Sequence, residues 1–157
     1  MHILKTEQFL PIDMDTAWGF FSSPGNLSLL TPRDMDFQVI SNVKNIPIYS
    51  GMLIDYKLRP VFGILMEWQT KIGIVINKQQ FTDTQSKGPY KFWEHIHYFE
   101  ETDGGVQMKD VVKYQLPLGF LGEIAHLLFV KKKLKYIFSY REKVLETLFI
   151  SDGKHFN

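Results

Sequence analysis

The chain is 157 residues long, with a net charge of +1, 45% hydrophobic and 22% charged residues, and no cysteine. That length suits one globular domain able to bury its apolar surface without staples, and the near-zero charge gives no general attraction to nucleic acid or anionic membrane. The lack of cysteine excludes disulfides, thiolate metal sites and a cysteine nucleophile, and it fits a cytoplasmic setting.

Met1 to Leu10 alternates and carries Lys5 and Glu7, so it reads as a strand without the apolar core of a signal peptide. Pro11 stops it, and Asp13 is placed to cap a short helix over Met14 to Phe21. Pro24, Gly25 and Asn26 break that helix, and Leu27 to Leu30 predicts a second helical turn ending at Thr31-Pro32. From Asp36 to Lys113 the hydrophobic period is two.

Strands are expected at Phe37 to Ser41 and Met52 to Arg59. The longest run places Ile64, Met66, Trp68, Thr70, Ile72, Ile74 and Ile76 on one inward face. Strands from Gln79 to Thr84, Tyr90 to Glu101 and Val106 to Leu116 follow. After Pro117 and Gly119, apolar residues recur at helical spacing to about Phe149, and a helix of about 28 residues would be roughly 40 Å long. Lys131 to Lys135 read as its solvated face, and their charge rules out a membrane span there. Residues 1–150 therefore form one α+β domain, a curved antiparallel sheet wrapped around a long C-terminal helix, with 151–157 as a polar, flexible tail. A twisted sheet curves away from a single straight helix, so large side chains or a guest must fill the concave side. The 15% aromatic content, including 13 Phe, fits either filling.

Asp103-Gly104 reads as a two-residue type I′ turn pairing Thr102 with Gly105. Counting back sets Phe99 opposite Met108, His97 opposite Asp110, His95 opposite Val112 and Trp93 opposite Tyr114, all on one face. Gln107, Lys109, Lys113 and Gln115 mark the other face as solvated. A buried carboxylate needs a donor, so Asp110 is expected to pair with His97 across the ladder or with Arg141, which the helical spacing turns toward the sheet. A His-x-His pair beside a carboxylate can also bind zinc or iron. No metal is expected here, because both rings have competing partners. Neither a nucleophile elbow, a P-loop nor a dinucleotide fingerprint is present, and Glu100-Glu101 points to opposite faces of its strand.

Phe92-Trp93-Glu94-His95-x-His97-x-Phe99, Met108-x-Asp110-x-Val112-x-Tyr114, Pro117-x-Gly119-x-Leu121-Gly122 and Phe138-x-Tyr140-Arg141 together resemble the SRPBCC superfamily, which gathers START, polyketide cyclase and pollen-allergen-like proteins. The chain looks most like a bacterial branch that occurs alone or fused to nucleotide-sugar-epimerase-like domains. The resemblance implies a helix-grip fold, with a strand, two helices, six strands and a C-terminal helix around a deep hydrophobic tunnel. It implies a ligand class and not a reaction.

The expected function is binding of a small, mostly hydrophobic molecule, with no cofactor. Its site residues are Trp68, Trp93, His95, His97, Phe99, Asp110, Tyr114 and Arg141. A cyclase, dehydratase or hydrolase using a pocket histidine is the rival, and an interaction domain with a self-filled cavity is the third reading.

Overall fold

A computed structural model describes residues 1–43, 45–60 and 62–151. Of the tail expected at 151–157, residues 152–157 lie outside the described residues. The elements in chain order are β1 (His2–Leu10), α1 (Met14–Phe21), short 3-10 turns at Pro24–Ser28 and Arg33–Met35, β2 (Gln38–Val39), β3 (Leu53–Leu58), β4 (Met66–Ile76), β5 (Gln80–Lys87), β6 (Phe92–Thr102) and β7 (Gly105–Gln115). A helical run then extends from 119 to 151: α2 (Gly119–Ala125), a π-turn (His126–Val130), α3 (Lys131–Glu146) and a second π-turn (Thr147–Ser151).

The seven strands form one antiparallel sheet in the order β1-β7-β6-β5-β4-β3-β2. Asp13 caps α1 as its position predicts, its carboxylate accepting from the Thr16 amide at 2.8 Å and the Thr16 hydroxyl at 2.9 Å. Ala17 and Phe21 are the buried face of α1, and Trp18 meets Phe81 and Phe99 edge-on. With Leu10, Val106, Met108 and Leu145 they close one end of the concave face. Val112, Tyr114, Leu134 and Phe138 close the other, and Met52, Ile54 and Ile72 pack under the far strands.

Three local expectations are corrected. The strand expected at Phe37 to Ser41 shrinks to two paired residues, Gln38 opposite Lys57 and Val39 opposite Tyr56. On β4 the inward phase holds only from Met66 to Ile72, and Ile64, expected on the same face, precedes the strand and is exposed. Pairing passes from Ile72↔Asp83 to Val75↔Phe81, which inserts one extra residue on β4. The Ile74 amide donates to Thr82 Oγ1 at 2.9 Å, in the space that a Cβ on Gly73 would occupy. Val75 therefore turns inward, while Ile74 and Ile76 are exposed. The Asp103-Gly104 turn is also not type I′, since Gly104 has φ 80° but Asp103 has no positive φ. The counted register survives in full, because it depends on the two-residue length of the loop.

Gly105 sits where β7 begins against the end of β1. A Cβ there would fall 2.2 Å from the Leu10 carbonyl oxygen, a backbone atom that moves only if β1 parts from β7. Gly105→Ala is expected to cost about 1–3 kcal/mol in urea unfolding. An unchanged midpoint would mean that β1 yields freely.

Candidate functional site

The β6–β7 ladder carries His95, His97 and Asp110 inward on neighbouring positions, and β5 brings Asp83 beside them through the pairings Phe81↔His97 and Asp83↔His95. Arg141 descends from α3 in the stripe Leu134, Phe138, Leu145 that faces the sheet. The result is a polar cluster lodged between the two apolar ends of the core.

Each imidazole bridges the two carboxylates. His95 Nε2 hydrogen-bonds Asp110 Oδ1 at 2.9 Å, while its Nδ1 lies 3.5 Å from Asp83 Oδ2. His97 Nε2 hydrogen-bonds Asp83 Oδ2 at 3.1 Å, while its Nδ1 lies 2.8 Å from Asp110 Oδ1 but off the direction of an aligned hydrogen bond. Arg141 Nη2 reaches Asp110 Oδ2 at 3.4 Å, and the guanidinium is flanked by the rings of Phe21 and Phe138. Both partners foreseen for the Asp110 carboxylate are thus present, and His95 is a third.

The environment separates the titrations. Burial would raise Asp110, but the Arg141 charge and the hydrogen bonds from His95 and His97 hold it well below the ordinary carboxylate range. Burial likewise opposes ionisation of Asp83, yet the His97 hydrogen bond and the charges of both imidazoles lower it. Burial and the neighbouring His97 lower His95. Burial would lower His97 as well, but its bonds to Asp110 and Asp83 outweigh that and raise it.

The cluster forms part of the wall of a cavity of about 490 Å³ between sheet and helix. Trp68, Trp93, His95, His97 and Arg141 line it, as expected from their strand and helix phases, together with Asp83, Tyr56, Tyr90 and Phe138. Trp68 and Trp93 meet edge-on at 5.3 Å and Tyr90 packs against both, which gives the hollow an aromatic floor. The other expected site residues stand back from this wall. Phe99 is buried under Trp18, Phe21 and Phe81. The Tyr114 hydroxyl is 2.9 Å from His126 Nε2 and lies under the helical run. Asp110 lies behind the two imidazoles, lining a second hollow of about 360 Å³ between β1 and α3.

Asp83 is the member of this cluster that the sequence alone did not single out. With it, Asp83, His95 and His97 bring one donor atom each to within 4.8 Å of one another. A second such group, His2, Glu123 and His126, lies where β1 passes α2.

A strand, one helix, short turns, six strands and a long helix laid across the concave face define a helix-grip α+β fold. Among solved structures the chain is similar to TTHA0849 from Thermus thermophilus (TM-score 0.69, 15% identity, covering 93% of this chain and 95% of that one). It is also similar to a START superfamily protein from Mycobacterium smegmatis (TM-score 0.66, 12% identity, 94% and 99% covered). A nucleoside-diphosphate sugar epimerase from Corynebacterium glutamicum shares the fold over 90% of this chain and 28% of its own (TM-score 0.64, 23% identity). No family model and no curated protein sequence matches the chain. Among the described residues no helix is long and apolar enough to cross a membrane.

Proposed function

We propose that the protein binds a small, mostly hydrophobic molecule with one polar end in the hollow between the sheet and the C-terminal helix. Its apolar body lies on Trp68 and Trp93, and its polar end meets His95, His97 and Arg141. The observation that carries this reading is the combination of an aromatic-lined cavity of about 490 Å³ with a charged cluster confined to one part of its wall. A guest burying about 300 Å² of apolar surface would gain about 7 kcal/mol from burial before entropic costs, to which the polar end adds its own contacts.

The test is native mass spectrometry of freshly purified protein beside the variant Ile137→Trp. Ile137 lines the cavity from α3 and is half-buried, so an indole there fills space that the guest would need. A bound small molecule is expected on the wild type and its loss on the variant, with the circular dichroism of the two alike. Wild-type protein free of any bound mass, and unresponsive to added fatty acids and polycyclic aromatics in thermal unfolding, would favour a cavity without a guest.

A further inference from the structure

Four nitrogen-to-oxygen gaps of 2.8, 2.9, 3.1 and 3.5 Å join the two imidazoles to the two carboxylates. The three gaps of 3.1 Å or less each need a hydrogen or a cation between their atoms, since a lone pair facing a carboxylate is repelled, whereas 3.5 Å is a van der Waals separation. Protons alone fill those three only if His97 is doubly protonated, beside the His95 ring with centroids 3.8 Å apart and next to Arg141. One proton fewer leaves a nitrogen lone pair against a carboxylate oxygen in a buried site.

A metal ion is the other way to fill these gaps, with both imidazoles neutral. If His95 Nε2 and His97 Nδ1, the nitrogens nearer Asp110, carry the ring hydrogens, then His95 Nδ1 and His97 Nε2 are left as lone-pair donors beside Asp83 Oδ2. We propose that Asp83, His95 and His97 form a binding site for a first-row divalent cation of the zinc type, with Asp110 as the carboxylate that fixes both imidazole tautomers from behind.

The spacing fits. Donors about 2.0–2.1 Å from a tetrahedral metal stand about 3.3 Å apart, and Asp83 Oδ2 lies 3.1 Å from His97 Nε2 and 3.5 Å from His95 Nδ1. Two imidazoles and one carboxylate suit a borderline cation better than calcium or magnesium, which favour all-oxygen shells. A carboxylate accepting from the far nitrogen of each ligating histidine is the usual support of such sites. His97 Nδ1, buried and without an aligned partner, is the atom whose hydrogen this arrangement would direct at Asp110.

Three protein donors leave at least one coordination position, and all three residues line the cavity. With neutral imidazoles, a divalent ion and Arg141 exceed the charge of Asp83 and Asp110 by one. An anionic oxygen, such as the carboxylate or enolate end of an apolar guest, would restore neutrality. That last step rests on the proposed ligand-binding function, whereas the metal site does not.

The experiment titrates metal-free protein with Co(II), with no organic ligand added, in a His2→Gln background that disables the second donor group. One equivalent bound, with visible absorption of an imidazole-ligated ion and displacement by Zn(II), is expected. Asp83→Asn, which keeps the size of the side chain, should abolish that equivalent, and Asp110→Asn should weaken binding about 10–100-fold through lost support of the rings. His97→Ala serves as a second test of the metal-binding donors should Asp83→Asn fail to fold by circular dichroism. No uptake in the background protein, or uptake unchanged by Asp83→Asn or His97→Ala, would overturn the proposal. An apolar guest that binds without any metal would leave the ligand-binding reading intact.

Discussion

Asp110→Ala is expected to lower the unfolding free energy by about 3–5 kcal/mol. The side chains of Asp110 and Arg141 are 8% and 11% exposed, so water does little to screen the pair. Removing the carboxylate strands the guanidinium between two phenyl rings and takes the shared acceptor from His95 and His97. Among the described residues no other carboxylate forms an ion pair with Arg141. Asp110→Asn should cost nearly as much, because the charge and not the volume is what the cluster loses.

The double variant Asp110→Asn/Arg141→Met removes one charge of each sign and leaves Asp83 with the imidazoles. Its cost should fall short of the sum of the single variants by about 0.5–3 kcal/mol, read from urea unfolding of all four proteins at one pH. Additive costs would mean that the two residues do not sense each other, and the account of the cluster as one electrostatic unit would fail.

The β6–β7 register was legible because Asp103-Gly104 is a two-residue loop, and each later pairing follows from it by counting. No such count reaches β5. The connection from Lys87 to Phe92 is longer, and an extra residue on β5 shifts the pairing between Gln69↔Lys87 and Thr70↔Gln85. Asp83 could be recognised only by phase, since it shares the inward face with Phe81 two residues earlier, where an unpaired aspartate would be costly.

Periodicity gives the face of a strand but not the depth along it. Phe99 and Tyr114 project to the same side as the histidines, yet α1 covers the first and the helical run covers the second. The fold order needed no such detail, because it follows from where the period changes from two to 3.6. The flip on β4 had a local sign, the lone Gly73 in a run of isoleucines, and an isolated glycine in a strand marks a bulge.

The helix side of the cavity offers the second large effect. Phe138 is the partition between the main cavity and the smaller hollow by β1, since both are lined by it and by Arg141. Its ring meets His95 edge-on at 5.7 Å, underlies the Arg141 guanidinium and packs with Val112, Tyr114 and Leu134. Phe138→Ala is therefore expected to cost about 3–5 kcal/mol, as transfer loss and unfilled space add. The strands beneath it are held in a continuous hydrogen-bonded ladder and cannot follow, so the space should persist and join the two hollows. A small apolar solute such as toluene should then raise the thermal midpoint of the variant more than that of the wild type. A loss under about 1 kcal/mol, with no response to toluene, would mean that α3 settles into the gap. In that case the hollow would be a matter of side-chain filling and not of the bend in the sheet.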